Sequence, residues 1–312
     1  MMESKMPLLA VCGATASGKT KLSVDLARAL NGEVVSADSM QIYAGMPIGT
    51  AQPTPEEMQG VPHHLIAFVQ PEELFSVAQY VTLAAGIIRE VTARGRLPLL
   101  VGGTGLYVHS LIDNIQLPEM PADNQLRDQL HRFADENGAQ ALWERLHTCD
   151  PQLAENLHPN NRGRIVRAIA VYELTGVPMS TWQQKSREVP SEYSLCMLGL
   201  AFRDRQNLYN RINLRVEQMI ERGLAEEARR FFAENAPKTA AQAIGYKELR
   251  GYLEGTETLQ GCVQRIQQET RRYAKRQMTW LRRDSRIQWL YWEDYEDYPA
   301  LLRDALRRVR FE

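Results

Sequence analysis

The sequence predicts an α/β protein in which a parallel β-sheet is flanked by helices and an all-helical segment is inserted between two strands. Three observations support this prediction. Short apolar runs alternate with amphipathic stretches over the first third of the chain. Glycines stand at the joints between them, as is typical of βαβ units. The middle of the chain contains helix formers and no strand-like run.

The alternation near the N-terminus is regular. The apolar runs 7–12 and 33–36 are predicted strands, and the stretch 21–30 between them has leucines at helical spacing. A second amphipathic helix is predicted over 77–94, followed by a third strand over 97–101. Strands joined by helical crossovers pair in parallel, so we expect both faces of the sheet to be covered.

The remaining chain divides into a helical segment and a second part of the core. Residues 120–185 are the predicted helical insertion domain, whereas 1–119 and 186–312 form the predicted core domain. The run 194–202 is apolar enough to be a returning core strand. It is followed by two long helical stretches rich in arginine, 207–234 and 258–283.

Composition excludes several classes of protein. Lys plus Arg number 37 and Asp plus Glu 38, giving a net charge of −1, so a globally basic nucleic-acid coat protein is excluded, although a local basic face is not. The chain has no CxxC pair and no run of eighteen apolar residues, which argues against a zinc ribbon, a secreted disulfide framework and a membrane span. We expect a soluble cytoplasmic monomer with reduced cysteines, namely Cys12, Cys149, Cys196 and Cys262.

A phosphate-binding loop follows the first predicted strand. The motif G-x-x-x-x-G-K-[ST] is matched in full by Gly13, Ala14, Thr15, Ala16, Ser17, Gly18, Lys19 and Thr20. Glycines allow backbone N–H groups to surround phosphate oxygens, and the following helix adds its positive end. Lys19 would supply a charge to the outer phosphate, and the Thr20 hydroxyl would ligate Mg²⁺. The motif in this context predicts a P-loop NTPase-like sheet that binds a di- or triphosphate.

The position of the acidic residue is unusual for a kinase or an NTPase. The strand 97–101 ends in Gly102 and Gly103 with no carboxylate after it. Asp38 instead follows the second strand, at the sheet edge where ligands of parallel sheets bind. It would ligate Mg²⁺ through water or accept a proton from a nucleophile. Alternatively, Asp38 caps the next turn.

A basic stretch lies near the C-terminus. Residues 264–286 contain only two acidic residues, Glu269 and Asp284, and the aromatic residues Tyr273 and Trp280 are interleaved. The eight basic residues are Arg265, Arg271, Arg272, Lys275, Arg276, Arg282, Arg283 and Arg286. Basic groups and flat rings suit single-stranded nucleic acid, whereas the alternative is a solvated helix face.

Further basic residues stand elsewhere in the chain. Arg162, Arg164 and Arg167 begin a helix in the predicted insertion, with the last two one turn apart. Candidates for holding an anion near the phosphate loop are Arg203, Arg211 and Arg215. The adjacent His63 and His64 are interpreted as structural, because neighbouring side chains on a strand point apart.

Taken with their order, these residues identify a resemblance to the bacterial tRNA dimethylallyltransferases over almost the whole chain. The matching stretches are GATASGKT (13–20), SADSMQIYAGMPIGTAQPT (36–54), PHHL (62–65), LLVGGTGLY (99–107), RIVRAIAVYELTG (164–176), LYNRINLRVEQMIERGL (208–224), AIGYKEL (243–249) and YAKRQMTWLRR (273–283). Two residues depart from the family pattern. Ala14 stands where proline is usual, and Gln52 stands where lysine is usual.

The resemblance implies transfer of a dimethylallyl group from dimethylallyl diphosphate to the N6 amine of adenosine 37, beside the tRNA anticodon. The loop would hold the diphosphate with Lys19, Thr20 and Mg²⁺, and Arg211 and Arg215 would close on it. Asp38 would accept the proton of the amine. The residues expected to touch tRNA are Asp38, Ser39, Met40, Gln41, Thr104, Arg127, Arg164, Arg167, Lys275, Arg276 and Arg282. The helical insertion and the basic C-terminal helices would grip the anticodon stem-loop.

Three other functions compete with this one. An isopentenyltransferase acting on free AMP or ATP would need neither the insertion nor the arginine-rich helices. A small-molecule kinase would use ATP at the loop, although the carboxylate missing after 97–101 argues against it. A non-catalytic RNA-binding module would tolerate loss of Lys19 and Asp38.

Overall fold

A parallel β-sheet forms the centre of the protein. The computed structural model describes residues 5–115, 124–233 and 240–311. Within them the sheet has six strands in the order β3-β2-β4-β1-β5-β6, and every neighbouring pair is parallel. The strands are β1 (Met6–Gly13), β2 (Gly32–Ser36), β3 (His63–His64), β4 (Leu97–Gly102), β5 (Tyr193–Ala201) and β6 (Ile287–Tyr291). The predicted parallel sheet is therefore confirmed, with two edge strands, β3 and β6, that the sequence patterns did not indicate.

Helices account for most of the remaining described chain. They are α1 (Lys19–Ala29), α2 (Pro55–Met58), α3 (Val77–Ala93), α4 (Gly105–Ile112), α5 (Asn124–Cys149), α6 (Pro151–Ala154), α7 (Arg162–Thr175), α8 (Met179–Glu188), α9 (Arg205–Glu221), α10 (Leu224–Ala233), α11 (Tyr246–Leu253), α12 (Leu259–Leu281) and α13 (Tyr298–Arg308). The single helix expected over 207–234 is two helices, because Gly223 takes a left-handed conformation (φ 97°) directly after α9. Among the described residues, no helix is long and apolar enough to cross a bilayer.

The chain divides into two compact units, 1–108 with 192–312 and 109–191. The predicted boundary between 119 and 120 lies outside the described residues, and the one between 185 and 186 falls within α8, inside the helical unit. The end of α4 packs with the helical unit, where Ser191 Oγ donates a hydrogen bond to the carbonyl of Ile112 (2.6 Å). Helices α5 to α8 form this unit, with an apolar core between α5 and α7.

The larger unit buries its sheet on both faces. The central strands β1, β4 and β5 are almost continuously apolar and buried, as parallel strands between two helical layers require. One core packs against α1 and α13. A second core lies among α9 to α12 and also takes up apolar residues from the segment after β2. Because all strands are parallel, β1, β2 and β4 end at one edge, where the phosphate loop, Asp38 and Thr104 lie.

Candidate functional site

The phosphate loop joins β1 to α1 and has the backbone of an anion site. Ala16 (φ 61°) and Gly18 (φ 101°) take left-handed conformations, and a Cβ on Gly18 would lie 3.0 Å from the Trp292 ring. Helix α1 begins without a side-chain cap and without an acidic residue in its first turn. Its N–H groups and the positive end of its dipole are therefore available to an anion.

Lys19 lies inside this loop. Its Nζ donates a hydrogen bond to the carbonyl of Ala14 (2.7 Å). Burial lowers the pKa of Lys19 to about 8; the Asp38 charge opposes this shift and the Arg215 charge adds to it. A bound anion would take the place of the Ala14 carbonyl and stabilise the charged lysine.

Two of the three arginines proposed for anion binding reach the loop from α9. Arg211 Nε donates to the carbonyl of Ala16 (3.0 Å), and Arg215 donates to Thr15 Oγ1 (3.4 Å). Burial lowers the pKa of Arg215, and the Asp38 charge raises it. Arg203 is not part of this group, because it pairs with Asp294 (2.7 Å).

Two residues that sequence reasoning missed also support the loop. The buried Gln277 on α12 accepts a hydrogen bond from the Thr15 backbone N–H (2.9 Å), and Trp292 Nε1 donates to the Ser17 carbonyl (2.8 Å). The sequence carries no signal that distinguishes Gln277, because it is one of five glutamines in α12. The Ser17 hydroxyl is buried and has no hydrogen-bond partner among the described residues. A buried hydroxyl without a protein partner at this point can donate its hydrogen to an anion held by the loop.

Asp38 follows β2 and uses one carboxylate oxygen to shape its own loop. Oδ1 accepts hydrogen bonds from the backbone N–H groups of Met40 (2.9 Å) and Gln41 (3.3 Å). No donor among the described residues is bonded to Oδ2. The capping interpretation and the functional one are therefore compatible. The Asp38 charge influences both Lys19 and Arg215, which places the carboxylate within electrostatic range of the phosphate loop.

The ends of β2 and β4 are tied together beside Asp38. Thr104 Oγ1 accepts a hydrogen bond from the Ser39 N–H (3.1 Å), and the Thr104 N–H donates to the carbonyl of Ala37 (3.2 Å). A Cβ on Gly102 would lie only 2.2 Å from that carbonyl oxygen. The contact requires glycine at the end of β4, where a kinase would commonly have a carboxylate.

The side chain of Gln41, predicted to touch tRNA, is used within the loop itself. Its amide donates to the carbonyl of Ala51 (2.9 Å). Gln52, which replaces the usual lysine, donates to the carbonyls of Gln41 (3.0 Å) and Tyr43 (2.8 Å). Gln52 therefore has a structural role here that an amide can perform without a charge.

Three of the arginines predicted to bind tRNA, Arg127, Arg164 and Arg167, lie in the helical unit. Partial burial and the charge of Arg127 lower the pKa of Arg167, and Arg164 is exposed one turn away. Arg162 differs, because it forms an ion pair with Asp135 (2.6 Å) and also bonds His131. The guanidinium group of an exposed arginine is suited to binding a phosphate.

The C-terminal basic stretch separates into paired and unpaired residues. Ion pairs join Arg265 to Glu257, Arg272 to Glu269 (2.6 Å) and Arg286 to Asp284 (2.7 Å), while Arg271 donates to Asn213 Oδ1 (2.6 Å). Four exposed residues form no ion pair within the described chain, and we call them the free basic surface: Lys275, Arg276, Arg282 and Arg283. Three of these four are the residues predicted from the sequence to bind tRNA.

The two adjacent histidines make separate contacts. His64 Nε2 lies 2.7 Å from Glu33 Oε2, and His63 Nδ1 lies 2.8 Å from the carbonyl of Val61. Across 5–115, 124–233 and 240–311, no group of three or more His, Cys, Asp or Glu side chains is arranged to hold a metal. The four cysteines are free thiols.

Comparisons with known proteins agree with one another. The family model "IPP transferase" matches residues 41–284, and the model "Isopentenyl transferase" matches 6–67. A tRNA dimethylallyltransferase of Thermoanaerobacter sp. (strain X514) is 45% identical over 303 residues, 96% of each chain. One from Halalkalibacterium halodurans is 47% identical over 293 residues, 94% of this chain and 93% of the relative.

Solved structures give the same result. A full-length tRNA isopentenylpyrophosphate transferase from Bacillus halodurans is 45% identical with a TM-score of 0.72, covering 97% of this chain and 95% of the other. A eukaryotic dimethylallyltransferase acting on tRNA is 26% identical with a TM-score of 0.81, covering 99% of this chain and 81% of the other. Both structural matches extend over nearly the whole of this chain.

Proposed function

The chain belongs to the IPP transferase family, and from this premise we propose that it transfers the dimethylallyl group of dimethylallyl diphosphate to the N6 amine of adenosine 37 of tRNA, releasing diphosphate. It is a prenyl-transferring enzyme whose acceptor is tRNA. The observation that carries the proposal is that Asp38 follows β2 at the same edge of the sheet at which β1 leads into the phosphate loop, because β1, β4 and β2 are parallel neighbours. A base for the acceptor and cations for the leaving group are thereby held in one site.

On the donor side, the diphosphate would occupy the phosphate loop. Lys19 Nζ would exchange the Ala14 carbonyl for a phosphate oxygen, and Arg211 and Arg215 would donate from α9. As the allylic C–O bond breaks, negative charge grows on the leaving oxygen. Fixed cations aimed at that oxygen lower the barrier, because they interact more strongly with the transition state than with the substrate.

The residues present suit Mg²⁺ bound together with the diphosphate. The Thr20 hydroxyl is bonded to no other described group, and hydroxyl and phosphate oxygens are the hard ligands that Mg²⁺ prefers. We therefore propose Thr20 as its protein ligand. When bound, the ion would neutralise charge on the diphosphate oxygens.

On the acceptor side, Asp38 would act as the base. The lone pair of the adenine amine is delocalised into the ring, so the amine becomes a competent nucleophile only as its proton is removed. As the C–N bond forms, the proton would pass to Oδ2, the carboxylate oxygen that loop N–H groups leave available. The adenine must leave its stack to reach this edge of the sheet. Ser39, Met40 and Thr104 would surround it.

RNA contact would come from two groups of cations. The free basic surface on and after α12 would neutralise backbone phosphates, and Arg127, Arg164 and Arg167 would do the same from the helical unit. We also propose that the enzyme acts as a cytoplasmic monomer. The buried free thiols of Cys12, Cys196 and Cys262 suit a reducing compartment.

Incorporation of label from dimethylallyl diphosphate tests the function. The acceptor is an anticodon stem-loop containing A37, with AMP and ATP present as competitors. We expect label in the stem-loop alone, and no label when A37 is replaced by guanosine. Label in AMP or ATP would assign the enzyme to free nucleotides and would contradict the proposed RNA contacts.

A further inference from the structure

The segment that follows Asp38 is held from a distant part of the chain by one carboxylate. Glu227 on α10 is 3% exposed. Its Oε2 accepts the N–H of Ile48 (2.9 Å), and its Oε1 accepts the N–H of Gly49 (2.7 Å) and the hydroxyl of Tyr246 (2.6 Å). Three donors satisfy a charge that would otherwise be costly to bury. Two of those donors are backbone groups of the segment between β2 and α2.

Apolar packing connects the same partners. Ile42, Tyr43 and Met46 are buried in one core together with residues of α10 and α11, including Phe231. At Gly49 the approach is so close that a Cβ would lie 2.2 Å from the Tyr246 ring. The segment is therefore seated on these two helices by both polar and apolar contacts.

Hydrogen bonds transmit this anchoring to Asp38. The Gln41 amide donates to the Ala51 carbonyl (2.9 Å), two residues beyond the Glu227 contact. Gln52 donates back to the carbonyl of Gln41 (3.0 Å). The Gln41 N–H in turn donates to Asp38 Oδ1 (3.3 Å). A shift of the backbone at 48–49 would thus be passed to the donors that orient the Asp38 carboxylate.

We propose that Glu227 is a positioning residue for Asp38, so that its contacts with residues 48 and 49, supported by Tyr246, set the rate of proton removal without touching either substrate. This inference rests on the proposed function, in which Asp38 is the base. The diphosphate side has separate supports, namely Gln277, Trp292 and Arg211. Loss of Glu227 should therefore lower the rate of transfer and leave diphosphate affinity unchanged.

Glu227→Gln is the primary variant, and Tyr246→Phe is a milder second one. The glutamine oxygen still accepts one loop N–H, but its NH₂ group faces the other, so the loop must shift. A misplacement of about 1 Å near the reacting groups costs up to roughly a hundredfold in rate. We expect the single-turnover rate to fall about ten- to a hundredfold in Glu227→Gln and a few-fold in Tyr246→Phe.

Glu248→Gln is the matched control. Glu248 is also buried, on α11, and accepts the N–H of Gly245 (2.8 Å), but it forms no hydrogen bond or ion pair with the described residues 38–52. Rates are expressed per folded enzyme from circular dichroism. We expect Glu248→Gln to retain the wild-type rate within about twofold, and all three variants to keep the wild-type inhibition constant for pyrophosphate.

Hydrogen exchange gives a readout that does not require activity. We expect faster exchange of the amides in 38–52 in Glu227→Gln and wild-type exchange there in Glu248→Gln. Any one of four results would overturn the proposal. These are a wild-type rate in Glu227→Gln, an equal rate loss in Glu248→Gln, a parallel loss of pyrophosphate affinity in Glu227→Gln, and unchanged amide exchange in 38–52. If Glu227→Gln does not fold, the same criteria apply to Tyr246→Phe. Failure of the wild-type enzyme to label the stem-loop would instead overturn the proposed function.

Discussion

Two loops at the same edge of the sheet are held in different ways. The phosphate loop is eight residues long, and its shape follows from glycines, a left-handed alanine and the start of α1. We call residues 38–52 the acceptor loop. It consists of turns without a helix, and hydrogen bonds of Glu227, Gln52 and Gln41 hold its shape. In the proposed mechanism, the backbone of the diphosphate site is therefore set locally and braced by distant side chains such as Gln277 and Trp292, whereas the shape of the segment that orients Asp38 relies on tertiary contacts such as Glu227.

The largest expected effect is on the rate of transfer, when Asp38 of the acceptor loop is replaced. Asp38→Ala should lower the single-turnover rate by about 10²–10⁴, because general-base assistance is lost. Affinity for the stem-loop should change little, since phosphate contacts elsewhere supply most of it. The rate is measured by rapid quench and the affinity by filter binding. Weaker binding with an unchanged rate would remove Asp38 from the role of base.

Lys19→Ala should affect the donor side. We expect kcat/KM for dimethylallyl diphosphate to fall by about 10²–10³ and pyrophosphate to inhibit less strongly. The control is Lys21→Ala, since Lys21 is an exposed lysine of the same helix paired with Asp25 (3.2 Å). Unchanged inhibition by pyrophosphate in Lys19→Ala would contradict the assignment.

The pKa of Lys19 predicts a pH effect on the donor side alone. With a pKa of about 8 in the free enzyme, Lys19 is charged below this pH and neutral above it. Because the charged form binds the diphosphate, kcat/KM should be level below pH 8 and fall by about tenfold per unit well above it. The profile of Lys19→Ala should lack this descent. A wild-type descent preserved in that variant would assign it to another group.

The smallest expected effect is on RNA binding by the free basic surface, which belongs to neither loop. Replacing Arg276 and Arg282 of the free basic surface by alanine should weaken stem-loop binding and reduce its salt slope by about 2, one counterion per lost phosphate contact. The paired arginines Arg272 and Arg286 are the control, because their charges are already neutralised by Glu269 and Asp284. Binding is titrated across a series of salt concentrations. Equal slopes for both double variants would assign the free basic surface to ordinary solvation.

Features that depend on local sequence pattern could be predicted, whereas features that depend on contacts between distant segments could not. The phosphate loop, β1, α1, β2 and the position of Asp38 depend on local pattern and were predicted. The two-residue β3 is too short to show any periodicity, and β6 follows an arginine-rich stretch that masks its apolar residues. Gln277, Trp292 and Glu227 contact segments more than 170 residues away. No local signal reports such contacts.

Counting charged residues in the sequence could not show which of them form ion pairs. The sequence identified the basic stretch, but only the structure distinguishes arginines neutralised by carboxylates from those of the free basic surface. Likewise, Gln52 was noted as a departure from the family pattern, and its role in bracing Gln41 and Tyr43 became apparent only from its hydrogen bonds.

The central claim is that the phosphate loop binds the diphosphate of a prenyl donor and does not serve a kinase reaction with ATP. It is tested most directly by measuring what the enzyme releases from each compound. The enzyme is incubated with the stem-loop, Mg²⁺ and either dimethylallyl diphosphate or ATP, and the released diphosphate, phosphate and ADP are measured beside the mass of the RNA. The account predicts one diphosphate released for each adenosine that gains a dimethylallyl group, and no ADP or phosphate from ATP. Formation of ADP from ATP, with no alkylated adenosine from either donor, would contradict it.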